Sequence, residues 1–406
     1  MDKKERNIWW GPPRRFDDKL QERKISWLEL FYDLVYVAAI AQLTHHIALH
    51  PTWNSLGYVF FIFVLILWSW MNGSYYHDTH GSEGIRTRYF TLLQMLAVAA
   101  VTITLHDVFN GYHKSFAIAF AIIQGIITFL WWSAGYYDPS HKKLNRYYVM
   151  FYPVSIVLFI LSVFTDFSTA NILWGIALAI NYGVVIISGP SVVKELKRRG
   201  VTYQTSASMV ERFGLFTIIV LGENILGIVN GISDVHDKSS MIWITFMLAI
   251  LIAFLLWWIF FDMTGDSEVK PGYNFFLLYN VLNIPLLGAF AASGASISMI
   301  VSETEMQTHN DVRYIFGIAV AVILLCIIGI TYTLQQEDEE IPVMKKFCYM
   351  LYTAVIAILI TTFFSNHLSG LTYLLVVAII LITPVYIGTR IWVRYRIFHD
   401  EKNNAI

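Results

Sequence analysis

The stretch Met241-Ile-Trp-Ile-Thr-Phe-Met-Leu-Ala-Ile-Leu-Ile-Ala-Phe-Leu-Leu-Trp-Trp-Ile-Phe-Phe261 holds no charged residue. Roughly 20 apolar residues, each rising 1.5 Å, carry a helix across about 30 Å of hydrocarbon, and this run is long enough. Working outward from it, eleven more runs of the same kind appear: Trp27–Leu49, Leu56–Tyr75, Tyr89–Leu105, Phe116–Tyr136, Tyr147–Phe164, Ala170–Ile187, Met209–Ile228, Phe275–Ile300, Tyr314–Tyr332, Phe347–Phe364 and Leu371–Trp392. They predict an all-α polytopic membrane protein of about twelve transmembrane helices, with no sizeable soluble domain left over. Composition agrees. Of 406 residues 56% are hydrophobic and 14% charged, against about 25% charged in soluble domains. The excess apolar surface must face lipid, so the bilayer is the first partner implied. A formal net charge of −1 gives no field for a nucleic acid. Cys326 and Cys348 lie in or beside apolar runs and imply neither a disulfide framework nor a metal cluster.

The basic residues give an orientation. The tail of residues 1–25 holds eight Lys or Arg, and placing it in the cytoplasm puts every alternate loop inside. By that alternation 25 of the 28 Lys and Arg are cytoplasmic; Lys114, Lys238 and Arg313 fall outside. This positive-inside bias predicts a bacterial inner-membrane protein with both termini in the cytoplasm. The first apolar run is too long for a signal peptide and is expected to be retained. Paired aromatics at helix ends, such as Trp131–Trp132 and Trp257–Trp258, fit interfacial belts.

The chain also repeats itself. Glu29-Leu-Phe31 is matched by Glu211-Arg-Phe213, Asp78-Thr-His-Gly81 by Asp262-Met-Thr-Gly265, Tyr89-Phe-Thr-Leu-Leu-Gln94 by Phe275-Phe-Leu-Leu-Tyr-Asn280, and Phe116-Ala-Ile-Ala-Phe-Ala121 by Phe316-Gly-Ile-Ala-Val-Ala321. The offsets are 182, 184, 186 and 200. They grow in order, with the one large jump in a loop, where insertions belong. The expected organisation is a basic cytoplasmic tail (1–25), a first six-helix repeat (26–190), a cytoplasmic linker (191–205), a second six-helix repeat (206–395) and a short cytoplasmic tail (396–406). Six is an even number, so the two halves would share one topology, as in parallel-repeat transporters.

Ionisable groups inside a membrane cost about 2.5–3.5 kcal/mol each on insertion scales, so each needs a reason. Glu29 and Asp33, four residues apart, share a face of the first helix, and Tyr36 continues the stripe. Asp33 lies roughly 9 Å in from Trp27 at 1.5 Å per residue. Two readings stand side by side: a cation-attracting or proton-carrying vestibule, or carboxylates paired with a basic residue such as Arg212. On the seventh helix Arg212 and Glu223 share one face about 16 Å apart, which puts Glu223 near the midplane, followed by Asn224; Glu211 opens the helix. Glu223 reads as a functional acid or as a protonated side chain bonded to Gln94, Gln124 or Asn280. Asp78 and Asp262 read as caps at the inner ends of helices two and eight. Asn181 and Tyr182 on helix six and Asn280 and Asn283 on helix nine read as cavity-lining or as helix-to-helix bonds, and His45 and His46 as a pH-sensitive gate or as ordinary interfacial histidines. His77-Asp78-Thr-His80 and the acidic run 337–340 read as solvated loops; Pro153, Pro285 and Pro384 fall inside helices.

No nucleophile, zinc-protease, intramembrane-protease or Walker motif is present. The expectation is therefore no enzyme, no ATP-driven pump, no metal and no cofactor.

The residues Ile25-Ser-Trp-Leu-Glu-Leu-Phe-Tyr-Asp-Leu-Val-Tyr-Val37 resemble the bacterial low temperature requirement protein A family, and Glu211 to Asn224 resembles that family's second hallmark. The resemblance implies a multi-pass membrane protein named for a cold-growth phenotype and supplies no biochemical activity. A shorter similarity links Glu29-x-Phe31-x-Asp33-x-Val35 to the first-helix signature of a potassium and proton channel family built from six-helix repeats. Here Tyr32 replaces the signature Ser, and Leu215 stands where that family needs an acid. The leading expectation is a conduit for a small cation or protons through a polar path on helices one and seven. The alternative is a non-transporting structural or regulatory protein that binds lipid or partner helices. A homo-oligomer is left open.

Overall fold

A computed structural model describes residues 9–14, 24–82, 84–138, 142–198, 200, 202–233, 239–265, 267–302, 310–336 and 341–404. Most of the basic tail (1–8 and 15–23) and the acidic run 337–340 lie outside them. Twelve long α-helices form among the described residues: α1 (Trp27–Leu49), α2 (Trp53–His80), α3 (Ile85–Phe109), α4 (Lys114–Tyr137), α5 (Lys142–Ser162), α6 (Phe167–Arg198), α7 (Ala207–Ser233), α8 (Ser240–Thr264), α9 (Tyr273–Ser302), α10 (Asn310–Thr333), α11 (Ile341–Phe363) and α12 (Gly370–Asn404). All twelve are long and apolar enough to span a bilayer, and they coincide with the twelve apolar runs. Among the described residues no strand forms; there is one isolated antiparallel bridge, Val269 with Leu334, and one 3-10 turn, Ser365–His367. Helices are the expected solution, because a bilayer leaves no water to satisfy an open backbone.

Most helices are longer than the apolar run that announces them. The clearest case is α2. Its hydrophobic stretch ends near Tyr75, but the helix continues to His80. The sequence places His77 to His80 in a solvated loop, and the structure corrects this: His77, Asp78 and His80 are buried. The final turn stays helical and dry because neighbouring polar groups receive its ends. Arg14 donates to the Asp78 and Thr79 carbonyls, and His80 Nδ1 pairs with the Arg14 carbonyl at 3.0 Å. No group of three or more His, Cys, Asp or Glu among the described residues is placed to hold a metal.

The chain forms two compact units. The first comprises residues 1–43, 61–213 and 271–277; the second comprises 44–60, 214–270 and 278–406. In the first unit α3 to α6 pack in succession. Their contacts combine aromatic packing with short amide bonds. Phe120 and Phe159 lie 4.6 Å apart between ring centroids and Phe116 and Trp174 4.8 Å apart. Gln124 and Asn181 exchange hydrogen bonds at 3.0 and 3.2 Å, and Ser155 donates to Asn181 at 2.8 Å. Of the two readings of Asn181, the helix-to-helix bond is the one realised.

In the second unit α10, α11 and α12 pack in succession and α8 packs against α12 and α10. The α9 helix is largely buried, and the small residues of its second half allow close approach. Asn224 of α7 donates to the Phe290 carbonyl at 2.8 Å. A methyl group at Gly294 would lie 2.0 Å from Asn224 Oδ1, so the amide occupies the notch that the glycine leaves. Large apolar side chains such as Ile103, Phe164 and Phe363 point outward, as a lipid-facing surface requires.

Candidate functional site

The deepest cluster of charge lies in the first unit, where α1, α2 and the start of α7 contribute side chains. It begins with a local motif. Ser26 precedes α1, and its hydroxyl accepts from the Glu29 backbone amide at 3.3 Å. The Glu29 carboxylate in turn accepts from the Ser26 amide and hydroxyl, both at 2.9 Å. This reciprocal capping box satisfies amides that a helix start leaves open and fixes Glu29 at the mouth of the site. The Ser-x-x-Glu spacing is a sequence signal, one that a reading of Glu29 as part of an acidic stripe passes over.

One turn deeper, Asp33 is fully buried, at 0% exposure, and Arg212 is buried at 1%. Arg212 Nη2 donates to Asp33 Oδ1 and its Nε donates to Oδ2 at 3.3 Å, so the guanidinium grips the carboxylate at two points. The Trp70 indole donates to Asp33 Oδ1 at 2.7 Å. Glu29 Oε1 stands 4.0 Å from Arg212 Nη1, making one cation shared unequally between two acids. The Tyr32 and Trp70 rings lie 5.8 and 5.9 Å from the guanidinium carbon, close enough for their π faces to add attraction. Two-point contact suits Arg, whose planar fork matches a carboxylate.

A string of hydroxyls lies beside the pair. Ser69 donates to the Tyr36 hydroxyl at 3.1 Å, and Tyr36 and Tyr32 share a hydrogen bond at 3.1 Å. Beyond Tyr32 the chain narrows at Gly73. A methyl there would lie 2.0 Å from the Tyr32 hydroxyl and 3.0 Å from Gln94 Oε1. Both amide atoms of Gln94 are buried without a hydrogen-bond partner among the described residues. Buried polar groups in native proteins nearly always have a partner, so this amide and Arg212 Nη1, which is likewise buried without a hydrogen bond among the described residues, are exceptions in the cluster. His77 closes the same region, with its ring 5.9 Å from that of Tyr32.

The structure thus brings together Glu29, Asp33, Tyr36 and Arg212 from the sequence-derived set, and places Gln94 beside Gly73. Trp70 and Tyr32 join them; Trp70 sits in an apolar run like many other aromatics, and Tyr32 stood out only as the residue in place of a signature Ser. Asp78 lies near the start of α7, where its carboxylate accepts from the Ser206 and Ser208 hydroxyls. A negative charge there also complements the positive end of the α7 dipole. Its repeat mate Asp262 is exposed. In the second unit Glu223 is half-buried, Asn224 is buried in the Gly294 notch, and Asn280 is buried on α9. Glu211, in the first unit, is exposed.

Chemically, the Asp33 cluster can hold one net negative charge among two acids and one base, in a segment long and apolar enough to lie within a membrane. It presents no activated nucleophile and no metal-ligand set. Comparison with known proteins gives a family and no chemistry. The family model for bacterial low temperature requirement A proteins matches residues 24–387. An uncharacterised protein of Rhizobium meliloti (strain 1021) is 26% identical over 387 residues, covering 89% of this chain and 90% of its own. No solved structure matches.

Proposed function

Because the chain belongs to the bacterial low temperature requirement A family, a family of membrane proteins with apolar helices of this kind, we propose that it carries a small cation or protons along a polar path lined by α1 and α7. The observation that supports this reading is the fully buried Asp33–Arg212 pair. Intramembrane ionisable residues are costly and mark ion and proton pathways by default. Protonating Asp33 removes one half of the pair and frees the guanidinium, so a single proton changes both the charge and the hydrogen bonding of the cluster. The hydroxyls of Ser69, Tyr36 and Tyr32 continue a polar string away from it. The proposal includes no catalytic activity. It includes an inner-membrane location with both termini cytoplasmic, supported by the distribution of 25 of the 28 basic residues. It also includes descent from a duplicated six-helix unit, supported by the four ordered motif matches.

The test is reconstitution of the full chain in liposomes with measurement of potassium, sodium and proton flux. Flux above that of empty liposomes, lost in Asp33→Asn, is expected; wild-type flux equal to empty liposomes overturns the proposal. The same assay on Glu223→Gln reports whether that acid takes part.

A second reading has its own observation. Both Asp33 oxygens are satisfied and Glu29 is engaged in a capping box, which suits a non-transporting scaffold that binds lipid or partner helices. In that case wild-type flux is null, and the loss of thermal stability in Asp33→Asn, expected under either reading, is the effect that remains.

A further inference from the structure

On the second unit, α8 and α12 border a groove of about 500 Å³ lined by Leu255, Trp258, Ile382, Val385, Tyr386, Thr389, Arg390 and Val393. On α12 these residues recur at intervals of three and four, which makes one continuous helix stripe. From Ile382 to Arg390 the stripe runs about 12 Å at 1.5 Å per residue. Its lower part is apolar. At its end the candidate span of α12 closes at Ile391, so Arg390 sits at the limit of the apolar segment.

The state of Arg390 is the informative point. Its side chain is exposed, and its guanidinium carbon lies 4.6 Å from the centroid of the Tyr386 ring. It forms no ion pair with any described acid, and Asp262 of α8 is exposed. A cation set over an aromatic ring at the rim of an apolar groove between two spans is complementary to a molecule with one anionic end and one hydrocarbon end. The sequence adds Arg394 and Arg396 just beyond.

We propose that this groove is a binding site for an anionic phospholipid, with an acyl chain along Ile382, Val385 and Leu255 and the phosphate at Arg390. Basic groups next to membrane spans attract anionic lipid, and the two-point geometry of Arg suits phosphate oxygens. The site is independent of the conduction reading.

The full-length protein in detergent, titrated with dioleoylphosphatidylglycerol or dioleoylphosphatidylcholine and followed by native mass spectrometry, tests it. The wild type is expected to retain the anionic lipid with a roughly fivefold preference, the effect of about 1 kcal/mol per basic group at a membrane surface. Arg390→Gln is expected to abolish the preference and Arg390→Lys to keep most of it, with melting temperature unchanged because the residue is exposed. Ile382→Trp, which fills the groove from its exposed wall, is expected to reduce retention of both lipids. Equal retention of the two lipids by the wild type overturns the site. So does a preference that survives in Arg390→Gln, or one that inorganic phosphate removes at millimolar concentration.

Discussion

Arg212 grips the carboxylate of Asp33 at two points across 179 residues of sequence, and Trp70 completes the hydrogen bonding from α2. A buried ion pair does not by itself stabilise a fold, since desolvation of both ions offsets their attraction. Its removal in halves is another matter.

Asp33→Leu or Arg212→Met alone is therefore expected to destabilise the protein strongly, by about 3–5 kcal/mol, the usual consequence of leaving one buried charge unpaired. The double variant Asp33→Leu with Arg212→Met is expected to melt closer to the wild type than either single variant. Thermal unfolding in detergent gives the three melting points. Additive losses in the double variant would show that the two residues do not act as a unit.

At Gly73 the chain cannot carry a β-carbon without moving the Tyr32 hydroxyl, which would be 2.0 Å away. Gly73→Ala should lower stability by about 1–3 kcal/mol, the typical cost of overpacking. Tyr32→Phe in the same chain removes the obstructing oxygen and should recover part of the loss. If the addition of Tyr32→Phe only deepens the loss, the close approach is not the cause.

The α7–α9 contact makes a parallel case in the second unit. Gly294→Ala places a methyl group 2.0 Å from Asn224 Oδ1 and is expected to disrupt the bond from Asn224 to the Phe290 carbonyl. Asn224→Ala removes the bond and the contacts with Oδ1 and Cγ, but its β-carbon would still lie 2.7 Å from that methyl group. Adding Gly294→Ala to Asn224→Ala should therefore cost less than adding it to the wild type, and adding it to Asn224→Gly less still, as read from melting curves of the purified chain.

Outside the spans, Asp166 caps α6. The Thr169 hydroxyl donates to it at 2.7 Å and the Thr169 amide at 3.1 Å, and these bonds hold the Asp166 carboxyl below its ordinary value. A carboxyl with a lowered folded-state value contributes stability above its unfolded value and loses it as pH falls through the folded one. Thr169→Ala should move the Asp166 titration up towards the ordinary carboxylate range, as measured by NMR of a carbon-labelled sample. An unmoved titration would assign the shift to another cause.

The twelve helices, though not their ends, were legible because a bilayer makes one demand on every span: about 20 apolar residues in a row with all backbone groups satisfied internally. Where sequence reading stopped short, as at His77 to His80, the missing information was tertiary. The last turn of α2 is kept dry by Arg14 and by hydroxyls near the start of α7, and no local pattern announces partners 64 to 130 residues away.

The candidate site divides along the same line. The polar residues of α1 and α7 stood out in sequence, because a charge inside an apolar run is conspicuous whatever surrounds it. Sequence also held the Ser26–Glu29 capping box, which depends on residues three apart. It left open whether Asp33 is a free acid or half of a pair, and Glu223 looked as well placed on its helix as Arg212. Only the tertiary structure seated Arg212 and Trp70 on Asp33 and set Asn224 in the Gly294 notch while Glu223 remained half-buried. Helix formation is decided by neighbours along the chain. Charge pairing is decided by which helix faces which, and that follows from packing across the whole unit.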